Sequence, residues 1–208
     1  MVVKLSDRVE VEWFKQVSPI SDTAEDEIAV SGIGTIAAAR VIPKEAPPFI
    51  AVSMYARWIR PHPLTKTNFK VGYSDGSAHR IISDLSAFIG STDPRTHRIL
   101  AAGDLNMIYG ATDDNPLALP ARDRTITDRL AALGMAFLGP QHPAGRQARP
   151  RPQGLPCDTK NVPTYAQNQL DYAFASCGFH KSVSVRALNS VEEWGASDHC
   201  RLLIEVDA

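Results

Sequence analysis

The chain has few cysteines, no long apolar run and almost no net charge, and each shortage removes a class of protein. Cys157, Cys177 and Cys200 are odd in number and show no C-x-x-C spacing, which argues against a disulfide framework and against a zinc site. They are expected to be ordinary small residues in a reducing compartment. Met1 is followed by a mixed stretch carrying Lys4, Asp7, Arg8 and Glu10 rather than an apolar leader, and no later segment could span a bilayer. A soluble, cytoplasmic protein is expected. The formal net charge of -1 supplies no global basic field, so any grip on nucleic acid must come from local patches. A length of 208 residues suits one domain over residues 1–208, with a real core.

What is present starts with alternation. Arg8 to Val17 (RVEVEWFKQV) puts Val9, Val11 and Trp13 on one side and Glu10 and Glu12 on the other, as a half-exposed strand does. Ser18 to Glu27 is polar and acidic and reads as a loop. Ala29 to Ile42 reads as a strand ending at Pro43, and Phe49 to Tyr55 as its hairpin partner after Pro47 and Pro48. Gly32, Gly34 and Ala37 spell a dinucleotide-binding fingerprint. That pattern needs a following helix, which Pro43 would stop within about two turns. A nucleotide cofactor is therefore rejected, and the glycines are read as close sheet packing.

Ala56 to Ala78 turns loop-like and basic, with Arg57, Arg60, His62, Lys66 and Lys70 against Asp75. It is the first candidate surface for phosphate. His79 to Gly90 places Ile81, Ile82, Leu85, Phe88 and Ile89 on one helical stripe closed by a glycine. Ser91 to His97 is a loop leading into Ile99 to Gly110 (ILAAGDLNMIYG), an apolar strand that ends in Asp104 and Asn106. Side chains at i and i+2 leave a strand on one side, so a carboxylate and an amide would project together. That pair suits holding a water and a phosphate oxygen at once. Turn chemistry is the competing reading of Gly-Asp and Asp-x-Asn taken alone. Asp113, Asp114 and Asn115 lack the ladder of a calcium loop and read as a solvated turn.

Asp123 to Gly134 is a second helix with Ile126, Leu130 and Leu133 inward, and Met135 to Leu138 a short strand. Gly139 to Lys160 carries five prolines with Arg146, Arg149 and Arg151, which bars a helix or central strand. It is read either as a cationic loop able to fork onto phosphate or as a merely solvated one. Asn161 to Tyr165 leads to Gln169 to Ser176 (QLDYAFAS), and Ala196 to Val206 (ASDHCRLLIEV) ends the chain.

GDLN, then LDYAFAS, then SDH opening the last apolar strand, in that order, is a combination that resembles the endonuclease/exonuclease/phosphatase family with its deoxyribonuclease I-like fold. The resemblance implies an α+β protein, a two-layer β-sandwich flanked by helices, and a phosphoesterase using Mg²⁺ or Mn²⁺. By motif, Asp104 would align and deprotonate water with Asn106 assisting. His199 would bind the phosphate, Asp171 would orient its ring, Asp104 would also be a metal ligand, and Asp198 would be a metal ligand or a support behind one. Tyr55 stands where the family has a tyrosine near the scissile phosphate, although Ala56, Arg57 and Trp58 depart from the usual continuation and a core or rim role competes. Arg57, Arg60, Arg149 and Arg151 would contact substrate. Nucleic acid is the expected substrate, with phospholipid or inositol phosphate esters as family alternatives.

The resemblance runs from about Gly34 onward. The family opens with a strand bearing an asparagine, a helix, and a strand ending in the metal-binding glutamate. Glu10, Glu12, Glu25 and Glu27 sit in other contexts, so the fold is expected to be N-terminally incomplete. Truncation, an active variant and a non-catalytic binding domain are the three explanations. An uncovered sheet edge there invites pairing with another chain, and a homodimer is the corresponding expectation.

Overall fold

FIAVSMY and ILAAGD, the two most apolar runs that stop at a polar residue, form adjacent strands in a computed structural model that describes residues 3–18, 23–31, 35–57, 74–90, 93–108, 120–140 and 169–207. These are β5 (Phe49–Tyr55) and β6 (Ile99–Asp104), paired in parallel. Parallel neighbours need a long crossover, and α1 (Ser74–Ile89) lies within it. Around them β1 (Val9–Trp13), β4 (Ile36–Pro43), β7 (Met135–Gly139) and β8 (Asp171–Ser176) complete a six-stranded sheet in the order β1-β4-β5-β6-β8-β7.

Alternation along the central strands divides the core. Ile99, Ala101, Tyr172 and Phe174 face α1 and α2 (Pro120–Ala132) and pack with Ile81, Leu85, Ile126 and Leu130. The opposite residues, Leu100, Ala102, Ala173 and Ala175, face a second layer, the antiparallel pair β9 (Val183–Leu188) and β10 (Arg201–Val206). Small residues at this inner face let the layers approach closely. The result is an α+β arrangement with two sheet layers and helices on one outer side. Among the described residues no helix is long and apolar enough to cross a membrane.

Several expectations are corrected. Arg8 to Val17 is two strands, because Phe14 turns to pack against the core and its N–H donates to Ala38 O at 3.1 Å. Beyond it β2 (Lys15–Val17) pairs in parallel with β3 (Glu27–Ala29), so the supposed loop ends in a strand and Ala29 to Ile42 is interrupted. Trp13, expected inward, is 50% exposed. It lies on the edge strand, and the side chains that pack against β9 and β10 come from β5, β6, β7 and β8 rather than β1 or β4. Glu27, at the end of the expected loop, is the first residue of β3. Lys15 Nζ donates to it at 2.9 Å, and that bond, with the Ala24 N–H, holds its carboxyl below its ordinary value.

The first helix starts at Ser74, not His79, so Asp75 to Ala78 are helical. The stripe expected of it is buried at Ile81, Ile82, Leu85 and Ile89, and Gly90 closes it at φ 52°. The second helix begins three residues early, at Pro120, whose missing N–H costs nothing in a first turn. Ala37 lies on β4 rather than at the start of a helix, as rejection of the nucleotide fingerprint requires; Gly32 and Gly34 lie outside the described residues.

Candidate active site

Three strand ends meet at one rim of the large sheet. In the parallel pair Tyr55 is in register with Asp104, and in the antiparallel pair Asp104 is in register with Asp171. A tyrosine and two carboxylates therefore stand in one row across β5, β6 and β8. Backbone bonds fix the row: Ala56 N donates to Asp104 O at 2.8 Å and Leu105 N to Leu170 O at 2.9 Å.

The Gly-Asp of the motif has a steric cause. Gly103 adopts φ 151°, and a Cβ built there would lie 2.0 Å from Met54 O on the neighbouring strand. Only glycine lets β5 and β6 come this close just before the acid.

Asp104 and Asn106 do project together, but not by strand alternation, since β6 ends at Asp104. Asn106 takes φ 48°, a left-handed conformation in which asparagine is enriched. Its N–H donates to Asp104 Oδ1 at 2.8 Å, and its Nδ2 donates to Asp104 Oδ2 at 3.1 Å and to Ala56 O at 2.7 Å. The turn reading and the site reading are thus one structure. An Asx turn orients the carboxylate, and the asparagine side chain clips the exits of two strands together. Asn106 is buried and Asp104 half-buried.

His199 reaches the row from the other sheet layer. Its Nδ1 lies 2.8 Å from Asp171 Oδ2, with the histidine side chain 21% and the aspartate 13% exposed. With Nδ1–H donating to the carboxylate, Nε2 is left as the face offered to a ligand. Asp198 is exposed on the loop just before β10. Tyr55 is 47% exposed at the end of β5. Arg57 is exposed two residues on, and its backbone N–H donates to Ser77 Oγ of α1 at 3.0 Å. Arg60, Arg149 and Arg151 lie outside the described residues.

Two positioning residues carried no assignment in the sequence. Tyr172, fully buried, sets its hydroxyl 2.6 Å from Gln169 O and 2.9 Å from Met107 O, so it joins the entry of β8 to the segment after Asp104. The available signal was the tyrosine of LDYAFAS. Trp194, 2% exposed, donates from Nε1 to Ser197 O at 2.9 Å and seats the Ser-Asp-His loop. Ser197 Oγ accepts from His199 N at 3.1 Å. A lone tryptophan in a polar loop five residues before a candidate histidine was the available signal.

For a metal ion, among the described residues no three His, Cys, Asp or Glu side chains gather closely enough to form an all-protein cage. Mg²⁺ does not need one, being commonly held by one or two carboxylates with waters and substrate phosphate. Asp104, oriented and half-buried, fits that smaller donor set.

No protein-family model and no curated protein matches the chain. Solved structures do match. An AP endonuclease from Leishmania major aligns at 17% identity with a TM-score of 0.55, over 84% of this chain and 55% of its own. A 3'-5' exonuclease from Neisseria meningitidis aligns at 15% identity and a TM-score of 0.51, over 82% and 65%. A Neisseria 3' phosphatase bound to a product DNA hairpin aligns at 16% identity and 0.52, again over 82% and 65%. At such identities the likeness concerns the fold, which is the deoxyribonuclease I-like fold of endonuclease/exonuclease/phosphatase proteins. The chain spans between 55% and 65% of the length of these structures.

Proposed function

We propose that this chain carries the catalytic half of a divalent-metal-dependent phosphoesterase that cleaves phosphodiester bonds of nucleic acid with an activated water. The observation that supports this most is the row Tyr55, Asp104 and Asp171 across three strand ends, with His199 tied to Asp171 at 2.8 Å. Phosphoester hydrolysis needs an oriented water, donors at the phosphate oxygens and relief of developing charge. Asp104, held by Asn106, would orient the water and take its proton. His199 Nε2 and the Tyr55 hydroxyl present hydrogen-bonding groups for phosphate, and Asp171 keeps the imidazole in one orientation. Asp104, with Asp198 nearby in sequence to the histidine, would hold Mg²⁺ or Mn²⁺. Bound there, the ion would supply Lewis-acid neutralisation of phosphate charge. DNA is favoured as substrate by the Neisseria structure that holds a product DNA hairpin.

The engagement of Glu12 with Arg40 and of Glu27 with Lys15, away from the row of Tyr55, Asp104 and Asp171, favours a second reading, a domain that binds phosphate-bearing ligands without turnover. One experiment separates the two. Plasmid, single-stranded DNA and a generic phosphodiester are incubated with Mg²⁺, Mn²⁺ or chelator, beside Asp104→Ala and His199→Ala. Metal-dependent turnover that falls by about 10²-fold or more in both folded variants is expected. Undiminished turnover in folded variants would remove the site assignment, and binding of DNA without cleavage would establish the second reading.

A further inference from the structure

The chain as a whole carries a formal charge of -1, yet charge is not spread evenly about the row of Tyr55, Asp104 and Asp171. Both helices start at the rim that carries this row. α1 lies between the exit of β5 and the far end of the sheet, where β6 begins, and α2 runs down to the start of β7, which is antiparallel to β8 and so ends toward the rim. Two bonds set the heights of the helices. Arg57 N donates to Ser77 Oγ at 3.0 Å, which levels the first turn of α1 with the exit of β5. Arg129 Nη1 lies 2.7 Å from His79 Nδ1, which brings the third turn of α2 beside the second of α1. At a rise of about 1.5 Å per residue, Arg80 is about 4.5 Å below Ser77, and Arg124 is about 7.5 Å nearer the rim than Arg129.

Arg57, Arg80 and Arg124 are all exposed. Among the described residues no ion pair or hydrogen bond engages their guanidinium groups. The acids on the two helices whose side chains are described do little to offset them. Asp84 and Asp123 are buried, and Asp128 is exposed one turn further from the rim than Arg124.

Across the row the sign reverses. The loop between β9 and β10 carries Glu192, Glu193 and Asp198 beside His199. The arginines that flank it are both bonded to Glu193, Arg186 to its carboxylate at 2.9 Å and Arg201 to its carbonyl at 2.7 Å. The row therefore stands on a boundary between an acidic loop and a cationic shoulder. A polyanion seated there is repelled on one side and attracted on the other. An exposed arginine with no carboxylate partner is a ready fork for phosphate oxygens. A single phosphate at His199 uses one such site, whereas a chain of phosphates uses the shoulder as well.

We propose that Arg57, Arg80 and Arg124 form a track for the backbone of a nucleic acid strand, which leaves the row over the first turns of α1 and α2 and away from the β9–β10 loop. This rests on the nucleic-acid reading above, and adds the direction in which the strand runs and a reason for preferring a polymer to a small phosphoester. Phosphate contacts position a strand without reading its bases, so binding along the track is indifferent to sequence.

The test is binding of a labelled single-stranded oligonucleotide, followed by fluorescence anisotropy in chelator over a range of salt concentrations. Three proteins are compared: the wild-type chain, the double variant Arg80→Ala with Arg124→Ala, and Lys181→Glu. Each phosphate contact on a single strand contributes about 0.7 to the slope of log affinity against log salt, so the double variant should lose about 1.4 of that slope and bind roughly tenfold or more weakly at low salt. Lys181→Glu changes the net charge by the same amount at an exposed position past the end of β8, far from the rim, and should leave the slope unchanged. An unchanged slope in the double variant would overturn the track. So would an equal loss in Lys181→Glu, which would assign binding to overall charge. Wild-type turnover of a generic phosphodiester without nucleic acid binding would overturn the track and leave the phosphoesterase reading standing. The expected loss of slope in a chain without turnover would uphold the track and remove hydrolysis.

Discussion

Tyr172→Phe isolates what one hydroxyl contributes to the site's framework. The ring is fully buried, 6.1 Å between centroids from Phe137, and the substitution leaves that packing in place. What goes is the O–H lying 2.6 Å from Gln169 O and 2.9 Å from Met107 O. One proton can serve one carbonyl at a time, so a single buried bond is lost, together with the solvation of a carbonyl that water cannot easily replace. Loss of such a partner costs about 1–3 kcal/mol. For a domain of this size each kcal/mol is worth about 3 °C in melting temperature, giving a fall of roughly 3–9 °C. Tyr55→Phe is the control, because Tyr55 is 47% exposed and should change stability by less than about 0.5 kcal/mol. Urea and thermal unfolding would measure both. Hydrogen exchange at the Leu105 amide, bonded to Leu170 O at 2.9 Å, would report whether the strand exit loosens in the Tyr172 variant. Equal shifts in the two variants, or an unchanged Leu105 amide, would refute the assignment of Tyr172 as the tie between the two strand ends.

Gly103→Ala should be far more damaging, costing more than about 3 kcal/mol, since its Cβ meets a backbone oxygen that no rotamer can move aside; near-wild-type stability would show that β5 and β6 can separate there. The Lys15–Glu27 pair gives a pH dependence. Glu27 is held below its ordinary 4.5, so its contribution to stability is present above that value and is lost as pH falls through its lower folded value. Lys15 is raised above 10.5, so its contribution is present below that value and is lost as pH rises past it. In Lys15→Met, carbon-detected titration of Glu27 should move to higher pH, because the Lys15 bond is the largest cause of the shift; an unmoved midpoint would assign it to the Ala24 N–H instead.

Much of the rim was legible because its residues recur in short motifs with a backbone reason behind them. GDLN is written by a close strand approach at Gly103 and an Asx turn at Asn106, and both leave a local signature. The pairing of Asp171 with His199 was legible only through resemblance, since the two residues are brought together by strands in different layers and no local periodicity encodes that. The break at Phe14 left a trace in VEVEWFKQV, where apolar Phe14 falls on the glutamate side and Lys15 on the valine side. The bond from Phe14 N to Ala38 O marks the same place, where the chain changes sheets. Early residues of the first helix, Ser74 to Ala78, include Gly76 and Asp75, poor helix formers that packing overrides by burying Ser77 and Ala78. The alternating VSVRAL of β9 carried a readable strand pattern that went unassigned. Trp13 followed the pattern of an inward residue and came out exposed, because whether a face is covered depends on how far the opposite layer extends.

Parallel β5 and β6 beside antiparallel β8 means that two strands finish and one begins at the same rim. The framework thus exposes the exits of β5 and β6 and the entry of β8 side by side, with Tyr55, Asp104 and Asp171 held in register there. Doubling the length of a connection costs only about 0.6 kcal/mol in closure entropy, whereas a slip of one residue in β6 would move Asp104 out of that row. Descendants of this scaffold can therefore vary connections in length and charge without disturbing the strand register that aims Asp104. Ligand preference and framework stability become separate objects of selection.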